Sequence, residues 1–384
     1  MNTMKQVVVM CLGFLSFACS STKKVLVQPS VRSISQFYFL GEVDVPYNLQ
    51  FKNTTVGGLS GIDYDAANNI YYIISDDRSA INPARFYTAQ LFITPKGIDS
   101  VVFIDVKMMQ QADGTYYPNN KQNAAKTPDP EAIRYNPITN QLVWTSEGER
   151  IISKKDTILA NPAITSILLN GNYIDTFILP TQLQMTSKEK GPRQNGVLEG
   201  LTFANNYKYL YVNVEEPLYE DGPRAMLTDT TAWIRIFKYN AATKKQIQQY
   251  AYKLEAVAYA TTPADAFKVN GVPDILSIGD DKLLVMERSF STGRLACTIK
   301  IYETDLSLAT DIKNNPSLQN NKDFVPATKR LLLNMDKLGI YTDNIEGMTF
   351  GPTLPNGHKT LICVADNNFS PLQKTQFLLF EIIP

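Results

Sequence analysis

Histidine is almost missing from this chain: His358 stands alone among 384 residues. Histidine phosphatases, Ser-His-Asp hydrolases and His-rich zinc sites would each have to be built on that residue. It falls in the stretch Pro355-Asn356-Gly357-His358-Lys359, which reads as a solvated turn. An excess of charge of one sign is missing too. The 37 basic and 37 acidic side chains cancel, so no net field favours nucleic acid or an anionic membrane surface. Also absent are the Gly-x-Ser-x-Gly nucleophile elbow, the phosphate-binding Walker loop, the dinucleotide Gly-x-Gly-x-x-Gly and any Cys-x-x-Cys pair. Past the first twenty residues no apolar run is long enough to cross a bilayer. What is present is a composition 44% hydrophobic and 19% charged, enough apolar surface to bury a core and too little charge for wholesale disorder. With 20 Tyr and 18 Phe beside many Thr, Ile and Val, that composition leans toward strands.

Residues 1–18 read as an export signal: Lys5, then an apolar run from Val7 to Phe17, of signal rather than transmembrane length. Two processing routes compete. Ser16-Phe17-Ala18 fits ordinary cleavage at a small-x-small site. Cys19, followed by the polar tether Ser20-Ser21-Thr22-Lys23-Lys24, resembles a bacterial lipoprotein signal, although Ser16 stands where a leucine is usual. The favoured expectation is lipidation at Cys19, residues 19–32 as tether, and an exported protein in the periplasm or at the cell surface as an outer-membrane lipoprotein. Contact with the membrane would run through the anchor alone. Cys297 and Cys363 then remain. Both fall in strand-like runs, where buried free thiols are commoner than a disulfide.

The mature chain, 33–384, repeats itself five times. Gly58-Leu59-Ser60-Gly61-Ile62-Asp63-Tyr64, Asp129-Pro130-Glu131-Ala132-Ile133-Arg134-Tyr135, Val197-Leu198-Glu199-Gly200-Leu201-Thr202-Phe203, Val272-Pro273-Asp274-Ile275-Leu276-Ser277-Ile278 and Asn344-Ile345-Glu346-Gly347-Met348-Thr349-Phe350 share one pattern. Positions 60, 131, 199, 274 and 346 are 71, 68, 75 and 72 residues apart, room for four strands and their turns. An Asn/Asp/Gly-rich turn and a second apolar run follow each motif, ending at Met286 in the fourth repeat. The fifth repeat runs out of chain before its fourth strand, while Ser33 to Val45 is a strand without a partner. The expectation is an all-β fold: a single β-propeller, five-bladed, with the N-terminal strand completing the last blade and leaving no open sheet edge. Six blades remain an alternative if a degenerate one hides in Pro180 to Asn195 or Leu254 to Gly271.

In such a wheel the start of each first strand and the end of each second strand lie on one face. Acids fill both places. Glu131, Glu199, Asp274 and Glu346 begin first strands, with Ser60 the exception. Asp76-Asp77, Glu147 with Glu149, Glu215-Glu216, Glu287 and Asp366 end second strands, and Arg78, Arg150 and Arg288 follow directly. A ring of carboxylates is costly unless cations offset it. Oxygen-rich clusters suit Ca²⁺, and arginine forks suit phosphate oxygens. The expected metal ligands are Asp76, Asp77, Glu147, Glu199, Glu215, Glu216, Asp274, Glu287, Glu346 and Asp366; the expected phosphate binders are Arg78, Arg150 and Arg288. The competing reading is structural, each acid accepting hydrogen bonds or pairing with the arginine next door.

Gly57-Gly58-Leu59-Ser60-Gly61, Pro130-Glu131-Ala132, Leu198-Glu199-Gly200-Leu201-Thr202 and Ile345-Glu346-Gly347-Met348-Thr349 resemble the phytase-like propeller family, the "esterase-like activity of phytase" domain. The resemblance covers about Gln36 to Ile382. It implies a phosphoesterase-type activity and carries functional positions onto Glu131, Glu199 and Glu346, the expected catalytic residues; Asp274 matches loosely and Ser60 departs from acid. The leading expectation is a monomeric, calcium-assisted phosphoesterase acting on a small phosphoester at the rim. The alternative is a non-enzymatic propeller gripping a carbohydrate, peptide or protein, suggested by abundant Tyr and Phe with no recognisable nucleophile.

Overall fold

The structure is a computed structural model that describes residues 31, 33–228 and 231–384. The expected signal, Cys19 and all but one residue of the expected tether lie outside the described residues.

Alternating side chains and left-handed turns set the strand pattern. The tight turns after the first strands are made by Asn69, Asn140, Asn205 with Asn206, and Asp280 with Asp281, all at φ between 50° and 55°, a conformation these short polar residues tolerate best after glycine. Asp65 and Asn136 accept backbone N–H groups of the turns they open, at 3.0 Å each. Five four-stranded antiparallel sheets result. Blade one is Leu59–Asp65, Ile70–Ser75, Arg85–Thr94 and Gly97–Met108; blade two is Pro130–Asn136, Gln141–Ser146, Ala163–Leu168 and Tyr173–Thr176. Blade three is Leu198–Ala204, Tyr209–Val214, Trp233–Asn240 and Lys245–Lys253; blade four is Lys268–Gly279, Lys282–Ser291, Thr298–Asp305 and Thr328–Asn334. Blade five takes Asn344–Phe350, Thr360–Asp366 and Thr375–Ile383 from the C-terminus and Gln36–Val45 from the N-terminus. That last strand runs antiparallel along Thr375–Ile383, Phe37 opposite Ile382 and Val45 opposite Thr375, so the wheel is closed by its own two ends.

There are five blades. The stretch 180–195 holds one turn of 3₁₀ helix, Thr181–Leu183, and 254–267 is irregular, so neither conceals a sixth. Blade four departs from its expected outline: its second strand passes Met286 and continues to Ser291, paired with an equally prolonged inner strand.

At the axle the inner strands approach so closely that side chains are nearly excluded. A Cβ on Gly61 would lie 2.7 Å from the Cα of Ala132, and one on Gly200 would lie 2.6 Å from the Cα of Asp274. Asp274 therefore stands at the level of Gly61, Ala132, Gly200 and Gly347, one residue beyond Glu131 and Glu199. Its carboxylate points into the channel and meets Arg134, whose Nη2 donates to Oδ1 and Oδ2 at 2.8 and 2.7 Å. Arg134 also donates to the carbonyls of Ile62, Ile133, Ile275 and Met348, tying four blades together. With both partners at most 2% exposed, the pair plugs the channel at mid-height.

Candidate functional site

On one side of the plug a cavity of about 540 Å³ opens to solvent. Nine carboxylates line it (Asp76, Asp129, Glu131, Glu147, Glu199, Glu215, Glu216, Glu346 and Asp366) against one cation, Arg288. The ring forms because residues two apart on a strand share a face. Thus Asp129 and Glu131 point in together, as do Asn344 and Glu346, with Asn344 Nδ2 donating to Glu346 Oε1 at 2.9 Å.

The carboxylates differ in how they are held. On the side of blades three to five Arg288 bridges: Nη2 to Glu215 at 2.6 Å, Nη1 to Asn344 Oδ1 at 2.7 Å and to Glu346 at 3.4 Å. Burial alone would lower the affinity of its guanidinium for a proton, but Glu346 and Glu215 raise it, so it stays charged. Glu216 pairs with Arg224, and Glu147 accepts the backbone N–H of Val197. On the side of blades one and two compensation is thin. Arg78 pairs with Glu149 and reaches Asp129 only at 3.6 Å. Glu131, 9% exposed, has no hydrogen-bonding or ionic partner for its carboxylate among the described residues; burial, then Glu199, Asp129, Glu147 and Asp76, push its pKa well above the ordinary value.

Asp76, Asp129, Glu131, Glu147, Glu199, Glu216, Glu346 and Asp366 are shifted in one direction, upward. Burial is the largest cause throughout, with neighbouring carboxylates adding to it. Asp129 and Asp366 rise to about 6, Glu216 to about 7 and Glu346 to about 8. Asp76, Glu147 and Glu199 are driven up strongly as well.

Asp129, Glu131 and Glu147 can each offer one oxygen with all three atoms within 4.8 Å of one another. The set fits a hard dication: oxygen donors only, an unpartnered buried carboxylate in the middle, and no lysine or arginine lining that side. Among the described residues no other group of three or more such side chains meets that spacing.

Of the expected ligands, Asp76, Glu147, Glu199, Glu215, Glu216, Glu346 and Asp366 line the cavity. Three do not. Asp77 caps the loop after it, accepting from the N–H groups of Ala80, Ile81 and Asn82, and pairs with buried Arg85 at 2.7 Å. Asp274 is spent on Arg134. Glu287 accepts from Tyr252, Asn270, Lys329 and the N–H of Glu255, a saturated structural carboxylate. The expected catalytic residues Glu131, Glu199 and Glu346 all reach the cavity. Among the expected phosphate binders only Arg288 does. Arg78 stands behind Asp129, and Arg150 turns away to the carbonyls of Thr186 and Lys188 and over the ring of Tyr219. Ser60 donates to the carbonyl of Glu131. His358 lies far along the chain in its turn, 2.6 Å from Glu381. Cys297 and Cys363 are free and buried, and Cys297 lines the cavity, its thiol pushed up to about 11 by burial.

Asp129, Asn195, Asn344, Asn368 and Gln373 are the further polar residues of the lining and were not among the expected site residues. For two of them the signal was present: Asp129 and Asn344 each stand two residues ahead of a ring glutamate.

A closed five-bladed wheel whose axle ends in an acid-walled, blind cavity defines a β-propeller with a polar well. The sequence over residues 54–369 matches the phytase-like family, described as esterase-like activity of phytase, and the chain belongs to that family. No curated relative matches it. Similar solved structures include the periplasmic gluconolactonase of Pseudomonas aeruginosa, at 10% identity and TM-score 0.36 over 86% of this chain and 90% of that one. A gluconolactonase of Xanthomonas campestris gives 10% and 0.35 over 92% and 97%. The hydrazine synthase of Kuenenia stuttgartiensis gives 10% and 0.32 over 87% and 99%.

Proposed function

We propose that the protein is a cation-assisted phosphoesterase working inside the acidic cavity. The observation that carries the reading is the imbalance of the lining, nine carboxylates to one arginine. A phosphate could not enter such a field unless cations were already in it. Asp129, Glu131 and Glu147 would hold a divalent ion, with Ca²⁺ the best match to an all-oxygen donor set. When bound, the ion supplies positive charge for the phosphoryl oxygens and acidifies a water.

The chain's own groups supply the rest. Arg288 faces the cavity as its one fixed cation, the guanidinium available to a phosphoryl oxygen. Glu199 lies next to Glu147 on one side and near Glu215 and Glu346 on the other; a cation held at Glu147 would release the proton that burial and those neighbours favour, leaving Glu199 to take one from an attacking water. Glu346, whose burial keeps its proton to about pH 8, can deliver one to the departing oxygen. No histidine is required.

The test is a panel of phosphomonoesters and phosphodiesters assayed with Ca²⁺ and with chelator. Turnover that appears with the ion and disappears with the chelator supports the reading, and a panel inert under both conditions sinks it.

A further inference from the structure

The cavity is not acidic all round. Blade four breaks the size rule of the wheel: its inner strand is 12 residues and its second 10, where the other inner strands have 7 and the other second strands 6 or 7. The surplus is the paired extension Lys268–Gly271 with Arg288–Ser291, which stands up beyond the ring. Val269 and Phe290 are direct partners across it and therefore point to the same face. That face lines the cavity together with Phe267 and Leu295. The rings of Phe267 and Phe290 lie 6.1 Å apart, while Phe267 is 57% and Leu295 79% exposed. Large apolar side chains left in water beside nine carboxylates are unused by the fold. Arg288, the first residue of the prolonged segment, sits at the foot of this wall and turns its guanidinium to Glu215 and Glu346.

We infer that blade four's extension is a leaving-group subsite, and that the substrate is a small phosphomonoester carrying an aromatic or otherwise apolar group rather than a polyphosphorylated polyol. The inference rests on the phosphoesterase reading and adds to it which phosphoesters are taken. A phosphoryl group held between the acid-bound cation and Arg288 places its ester substituent against the one apolar wall that the described residues give this cavity. A polyol there would leave hydroxyls facing Phe267, Phe290 and Leu295 without partners. The plug at Arg134 makes the cavity blind, so a single terminal phosphate enters head-first and the substituent stays near the mouth, where the exposed residues are. Discrimination from one such apolar contact is on the order of 10- to 100-fold.

Binding of two non-hydrolysable probes separates this from the parent reading. In saturating Ca²⁺, titration calorimetry should show phenylphosphonate binding at least about 10-fold more tightly than methylphosphonate. Phe267→Ala and Leu295→Ala, both at exposed positions that folding does not need, should bring the ratio toward one and leave methylphosphonate unchanged. Equal affinities in the parent protein, or a ratio that survives both substitutions, overturns the subsite while the phosphoesterase reading stands. If neither phosphonate binds, the phosphoesterase reading falls and the subsite falls with it.

Discussion

The two ends of the axle are built from the same five strands and treat polar groups in opposite ways. Below the plug the polar side chains bind one another and the backbone. Asp63 accepts from the N–H of Tyr135 and the hydroxyl of Thr349, Thr202 accepts from the N–H of Ser277, and the space left is about 50 Å³. Above it the carboxylates outnumber their partners and surround roughly ten times that volume. Buried polar groups are ordinarily satisfied, and at the lower end Asp63, Thr202 and Thr349 are. The upper end carries an uncompensated charge that the fold itself does not need, which is how a binding site differs from a scaffold made of identical residue types.

Breaking the scaffold end should have the largest effect. Arg134→Met strands Asp274 in the axle and removes the links among four blades; a loss of roughly 3–5 kcal/mol is expected, read as a lowered denaturant midpoint with and without Ca²⁺. An unchanged midpoint would mean the plug is dispensable. The same class of change at the other end should act in reverse. Glu131→Gln removes a buried, unpaired carboxylate and, at a pH high enough to ionise that group, should stabilise the chelator-treated protein by roughly 1 kcal/mol, while the extra thermal stability gained on adding Ca²⁺ shrinks; an apo variant destabilised at that pH would show that Glu131 has a structural partner after all.

pH sharpens the contrast without mutation. The folded values of about 6 for Asp129 and Asp366, 7 for Glu216 and 8 for Glu346 lie above the ordinary 3.8 and 4.5. The folded state thus binds more protons than the unfolded one between those limits, and stability present below about pH 4 is lost as pH rises toward 8. In chelator the melting temperature should fall from pH 5 to pH 8, by a few degrees for each roughly 1–2 kcal/mol lost. Added Ca²⁺ should flatten that slope. A metal-free protein equally stable at both pH values would contradict the shifts. The smallest effect is expected at the outer turn: His358→Gln should change stability by less than about 0.5 kcal/mol and leave any turnover unaltered.

The sequence made the wheel legible because each blade repeats the same spacing and the missing last strand could be seen at the other terminus. It made the acid ring legible in outline for the same reason. It misplaced Asp274, since the spacing of 75 residues aligns it with Glu131 and Glu199, whereas its Cα packs against Gly200 and so stands one step nearer the plug. Asp77 and Glu287 look like Asp76 and Glu215 in sequence. What separates them is which loop N–H groups, arginine or lysine lie within reach, and that is set by tertiary contacts. Arg78, Arg150 and Arg288 each follow a second-strand acid in sequence, yet only the last stands on the second strand itself, prolonged to Ser291, which carries it into the cavity wall.

Arg134 leaves the molecule with one doorway. If the cavity cleaves a phosphoester as proposed, the released phosphate would have to depart by the path along which the next reactant arrives, and inorganic phosphate should then compete with substrate instead of slipping out through the far end of the hub. The rate at which such a vessel empties is then governed by its mouth, where Asn195 and Asn368 stand, and the arginine deep in the hub decides that traffic without touching anything that moves through it.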